Sequence, residues 1–141
     1  MPLAASIAIA FSAALTPSVA ASTENAPQPV QIQAAQTIQQ QVETYFRDYP
    51  VMIKVAKCES HFRQYNKKDG SVHRGKVNDK DVGVMQINEY YHLKASEKLN
   101  IDIYSVEGNL EYARYLFERE GTTPWLSSSP CWGKENHIVR R

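Results

Sequence analysis

The sequence predicts an α+β domain over residues 37–133, mostly helical with a small β-hairpin or sheet. Three observations predict it. Apolar residues recur at helical spacing in two separate stretches, Ile38, Val42, Tyr45 and Phe46 in one and Val106, Leu110, Ala113, Leu116 and Phe117 in the other. Between them Pro50 can open a third helix, because its missing N–H falls among those that the first turn leaves unpaired. Asp69-Gly70, set between short polar and β-capable stretches, signals the turn of a hairpin within residues 63–77.

The chain opens with residues 1–21 free of charged side chains. Residues 3–15 form an apolar run ended by Pro17, and Ser18-Val19-Ala20 offers small residues where a signal peptidase cuts, so residues 1–20 read as a signal peptide. The alternative is an uncleaved anchor, since no Lys or Arg lies near Met1. Either version places the remainder in the cell envelope, secreted or periplasmic. Residues 21–36, mixing Ser, Thr, Asn, Pro, Gln and Ala, bury too little to order themselves and read as a tether. Residues 134–141 read as a polar tail. What remains is enough for one small core, expected as a monomer with no stable membrane span once the signal is cleaved.

The first helix runs from Thr37 towards Tyr49-Pro50, where the residue before proline disfavours helical backbone. Val51, Ile53, Val55, Ala56 and Cys58 then give the Pro50 helix an apolar body, with Glu59 at its far end. There a carboxylate meets the negative end of the helix dipole and loses hydration, and both effects raise its pKa. A raised carboxyl pKa is what a general acid needs. After Asn88 a polar helix leads towards Leu99, and Ser105 caps the last long helix, which Gly121 ends.

The formal charge of +1 gives no overall field to capture nucleic acid. Locally the balance differs: residues 51–80 hold eight Lys or Arg against three acids, a face suited to an anionic polymer or simply a solvated loop surface. Cys58 and Cys131 are the only cysteines, and an even count in an exported chain favours a disulfide between them. The chain-entropy estimate for so long a loop is on the order of 4 kcal/mol. No metal is expected: Cys58, His61, His73 and His92 match no zinc spacing, and Lys67 and Lys68 occupy the positions where a calcium loop needs oxygen ligands. No cofactor is expected either.

Glu59-Ser60 with Phe62, followed by Gly83-Val84-Met85-Gln86-Ile87-Asn88, resembles the lysozyme-like lytic transglycosylases that cleave peptidoglycan. Asp81 ahead of Gly83 completes a D-x-G-x-x-Q-I-N stretch similar to chicken-type lysozymes and to the small transglycosylases attached to secretion machines. The resemblance spans roughly residues 45–126. It implies a lysozyme-like catalytic domain in which the small sheet walls a substrate cleft, peptidoglycan strands as substrate, and secretion or envelope machinery as a partner. It also implies that Glu59 protonates the bond between N-acetylmuramic acid and N-acetylglucosamine, leaving 1,6-anhydro ends. A hydrolytic lysozyme would need a second carboxylate, and Asp81 is its candidate, although an acid before a glycine is often a turn-former.

The candidate substrate-binding residues are Ser60, Met85, Gln86, Asn88, Tyr90 and Asn109. Gln86 and Asn88 carry amides suited to sugar hydroxyl and acetamido groups, and Tyr90 offers a ring face to pyranose C–H groups. By family analogy Met85 lines the sugar site, though a core role suits it equally. Asn109 resembles the Asn that opens the N-x-x-x-A-x-x-L helix of the transglycosylases. Trp125 and Trp132 could stack on sugar or fill the core, Trp132 more naturally over the bridge. Where the family adds Ala-Tyr-Asn-Ala-Gly after that helix, this chain has T-T-P-W-L-S-S-S-P-C-W, so the family's Tyr is not carried over. An inactive glycan-binding envelope module is the reading from another class.

Overall fold

A computed structural model describes residues 35–133. The expected signal peptide, polar tail and all of the tether but its last two residues lie outside the described residues. Thr37 starts α1 (Ile38–Tyr45) with a capping box, its hydroxyl accepting the Gln40 N–H at 3.2 Å while Gln40 Oε1 accepts the Thr37 N–H at 2.9 Å. Pro50 then opens α2 (Pro50–Ser60) at N1. Its inward face is Met52, Val55, Ala56 and Ser60, whereas Val51 and Ile53 are half-buried.

The hairpin expected within residues 63–77 contracts to one bridge, Tyr65 to Val72, around a turn in which Asp69 Oδ1 accepts both the N–H and the hydroxyl of Ser71. The ladder forms instead from the D-x-G-x-x-Q-I-N stretch itself. Strands β1 (Asp81–Val82) and β2 (Ile87–Asn88) pair antiparallel with Asp81 opposite Asn88 and Val82 opposite Ile87. Val82 and Ile87 are buried, so the apolar pair faces the core and fixes the register, while a bridge from Arg74 to Val82 adds the preceding loop.

Helix α3 (Glu89–Lys98) leaves directly from β2. Its start is pinned by a two-pronged ion pair in which Arg74 donates to both carboxylate oxygens of Glu89, at 2.8 and 3.1 Å. Helix α4 (Val106–Glu120) begins where the Ser105 hydroxyl accepts the Gly108 N–H, and ends at Gly121, whose φ of +61° suits glycine. A 3-10 helix (Thr123–Ser128) and α5 (Ser129–Trp132) complete the described chain. The class is α+β, helices with one small antiparallel sheet.

Val42 and Phe46, Met52 and Val55, Leu110, Tyr112 and Leu116 bring α1, α2 and α4 onto one core, joined by Trp125 from the tail. Each large apolar side chain so buried contributes about 1.5–3 kcal/mol. The disulfide between Cys58 and Cys131 is formed and ties α5 to the last turn of α2. Among the described residues no helix is long and apolar enough to cross a membrane.

Candidate active site

The site begins where α2 stops. His61 and Phe62 both take left-handed backbone, with φ of 54° and 59°. For side chains other than glycine such conformations cost about 1–3 kcal/mol each and persist where their surroundings enforce them. Ser60 is the enforcement: fully buried, its hydroxyl reaches the Val84 carbonyl at 2.8 Å and accepts the Arg63 N–H at 3.0 Å. With Ser60 turned inward, Glu59 is left half-buried on a cleft of about 460 Å³.

The cleft is lined by Cys58 and Glu59 of α2 with His61 and Arg63 beyond the helix end, by His73 and the loop over residues 75–78, by Asp81 of β1, and by Gln86 and Ser127. Gly75 in that loop is required by space, since a β-carbon there would run into the Asn78 carbonyl and the Gln86 side chain.

The turn over residues 83–86, which joins the two strands, is held by two buried amides. Asn109 Oδ1 accepts the Met85 N–H at 2.8 Å, while its Nδ2 donates to the carbonyls of Val82 and Ile103 at 3.0 and 2.8 Å. Gln64 Oε1 accepts the Val84 N–H at 2.8 Å, and its Nε2 donates to the carbonyls of Tyr104 and Ser105. Gly83, at φ +76°, lies so close to both amides that a β-carbon would collide with them. These contacts satisfy backbone groups that an irregular buried turn would otherwise orphan.

Burial is the main cause that raises the Glu59 pKa above the ordinary carboxyl range; the Ser128 hydrogen bond opposes it and the negative charge of Asp81 reinforces it. Ser128 Oγ sits 2.6 Å from Glu59 Oε1. Asp81 Oδ1 in turn accepts from Asn88 Nδ2 at 2.7 Å and from Asn78 Nδ2 at 3.3 Å, which fixes the carboxylate on the cleft wall. His73, a largely buried lining residue, has its pKa lowered by that burial and by the cations Arg63 and Lys76. A carboxyl arranged as Glu59 is keeps its proton at pH values where exposed carboxyls have lost theirs, and can deliver it to a bound molecule.

The structure brings Glu59, Asp81 and Gln86 to one cleft and redistributes the other expected contacts. Ser60, Met85 and Asn109 are wholly buried with their polar groups turned to protein partners, so they shape the cleft instead of touching a ligand. Met85 takes the core role, its carbonyl accepting from Trp125 Nε1 at 2.9 Å. Asn88 Nδ2 is committed to Asp81, while its Oδ1 is buried without a hydrogen-bond partner among the described residues. Tyr90 is three-quarters exposed on α3, edge-to-face with Tyr91 and away from the cleft lining, because the helix that starts at Glu89 turns it outward.

Sequence reasoning missed Ser128 and Gln64. The first was within reach, because Ser128 precedes Cys131 by three residues and the bridge sets Cys131 beside Cys58, the neighbour of Glu59. Nothing marked Gln64, whose partners are backbone atoms some twenty and forty residues away. No family model matches this chain, and no curated protein or solved structure is found to be similar to it.

Proposed function

We propose that the protein is an exported peptidoglycan lytic transglycosylase with a lysozyme-like fold, in which Glu59 is the general acid and then the general base. The observation that carries this reading is a half-buried carboxyl of raised pKa, facing a cleft large enough for sugar rings, at the end of the helix that bears the Glu-Ser motif. The small sheet built from the D-x-G-x-x-Q-I-N stretch beside that cleft supports the same fold. The disulfide suits an oxidising compartment, secreted or periplasmic.

In this mechanism protonated Glu59 gives its proton to the glycosidic oxygen between N-acetylmuramic acid and N-acetylglucosamine. The C1–O bond breaks and leaves an oxocarbenium-like centre. The Glu59 carboxylate then takes the proton from the muramoyl C6 hydroxyl as that oxygen attacks C1. The product carries a 1,6-anhydro end and no water is consumed.

A second reading is favoured by Asp81, which lines the same cleft as Glu59 and whose charge reaches it. In a hydrolase that carboxylate would stabilise or trap the sugar cation before water attacks. Mass spectrometry of muropeptides released from purified peptidoglycan separates the readings. Anhydro ends one water lighter identify the transglycosylase, reducing ends identify the hydrolase, and no release by folded, oxidised protein overturns both in favour of a glycan-binding module. Glu59→Gln should lower the release rate by roughly 10²- to 10⁴-fold.

A further inference from the structure

We infer that Ser128 is a positioning residue for Glu59, and that its hydroxyl reverses direction with the protonation state of that carboxyl. The inference rests on the acid-then-base role proposed for Glu59, and its geometry stands independently of it. Ser128 Oγ lies 2.6 Å from Glu59 Oε1, 3.0 Å from the Trp125 carbonyl and 2.9 Å from the indole nitrogen of Trp132. A hydroxyl has one hydrogen and two lone pairs. The indole can only donate, so Trp132 fills one lone pair, and the hydrogen has two acceptors to choose between, Glu59 and Trp125.

When Glu59 is ionised, the Ser128 hydrogen points to the carboxylate, and the Trp125 carbonyl is served by Trp132 Nε1 at 3.2 Å. When Glu59 is protonated, its own O–H donates into the free lone pair of Ser128, and the Ser128 hydrogen turns to Trp125. Every polar group keeps a partner in both states. No proton passes to Ser128; one O–H bond rotates. A residue that must be an acid in one step and a base in the next is thereby held in one place through both, without an orphaned group in either.

Residues 123–132 bring no charge of their own to Glu59. They contain no ionisable side chain except Cys131, which is bridged. The charged or titratable groups on the cleft come from elsewhere: His61 and Arg63 past the end of α2, His73 and Lys76 in the loop, and Asp81 on β1. Trp132 has no hydrogen bond to Glu59, so its indole senses the carboxyl through Ser128.

The test is a pair of NMR pH titrations on the oxidised full chain, following the Glu59 carboxyl by ¹³C and the Trp132 indole N–H by ¹⁵N. Both should titrate with one midpoint in the wild type. In Ser128→Ala the Glu59 midpoint should rise, because a donor to the ionised form is gone, and the indole should become flat across that range. Ser128→Thr, which keeps the hydroxyl, should restore both. On peptidoglycan, Ser128→Ala should move the alkaline limb of the kcat profile upward with the Glu59 midpoint and lower its plateau by roughly ten- to a hundred-fold. A wild-type indole that is silent while Glu59 titrates, or a folded Ser128→Ala with an unchanged Glu59 midpoint, overturns the inference. The titrations need no turnover, so an absence of muropeptide release would sink the enzymatic reading and leave the hydroxyl reversal to be judged by its own midpoints.

Discussion

Asn88 donates its amide to Asp81 across the β1–β2 ladder at 2.7 Å, and the two are also the paired residues of that register. The side-chain bond holds the Asp81 charge on the cleft wall, from which it raises the Glu59 pKa. Asp81→Asn keeps an oxygen to accept from Asn88 while removing the charge. The Glu59 pKa should fall, and since the acid must be protonated to act, the alkaline limb of the pH–rate profile should move to lower pH. A limb that stays in place would show that Asp81 does not reach Glu59 electrostatically. If Asp81 also acts as a second carboxylate, the plateau should collapse by several orders of magnitude, whereas for a tuning role it should change by roughly ten-fold or less.

Glu59 should cost the fold stability at neutral pH. Its folded pKa is raised, chiefly by burial, so the folded state holds this proton more tightly than the unfolded chain does. Below the unfolded carboxyl pKa both states are protonated and the benefit is fully present; it is lost as pH rises through the folded value. Glu59→Gln, neutral at every pH, should therefore melt higher than wild type at pH 7 and equally at pH 3. Thermal melts at the two pH values check this, and equal melting temperatures at both would remove the burial argument. Such a gain on deleting the proposed general acid would be the usual trade between stability and activity.

The turn that joins the strands depends on Asn109. Removing its side chain in Asn109→Ala leaves the Met85 N–H and the carbonyls of Val82 and Ile103 buried without these partners, at about 1–3 kcal/mol for each unsatisfied group. The losses are not additive in full, and a net destabilisation of about 3 kcal/mol or more is expected in urea titration. Gly83→Ala should destabilise comparably, since its φ of +76° and the adjoining amides both oppose a β-carbon. A loss under about 1 kcal/mol in both variants would mean that the turn is not fixed by these contacts.

Local signals carried much of this arrangement. Thr37, Pro50, Ser105 and Gly121 mark helix ends by backbone chemistry that operates within four residues, and the structure places the ends there or nearby. Glu59 was legible because its helix is legible. The sheet was not: Asp69-Gly70 does turn the chain, yet the flanking residues pair only once, whereas Val82 and Ile87 can bury their side chains and so win the ladder. Turn propensity says where a chain can reverse, and burial decides where strands persist. Ser60, Met85 and Asn109 stand in the recognisable motif, but which way their side chains point is set by contacts across 24 residues that no local spacing reveals.

The bridge between Cys58 and Cys131 closes 73 residues of sequence separation, for which chain entropy gives about 4 kcal/mol. Its local consequence is separable from that global one. Trp125 stays anchored without the bridge, being buried and bonded to the Met85 carbonyl, whereas Ser128 and Trp132 lie beyond that anchor and on the side that the bridge secures. In the double variant Cys58→Ser, Cys131→Ser, stability should drop by about 3–4 kcal/mol. Amide exchange should accelerate most over residues 128–133 and least around Trp125. Uniform acceleration along the whole tail would place the anchor at the disulfide itself.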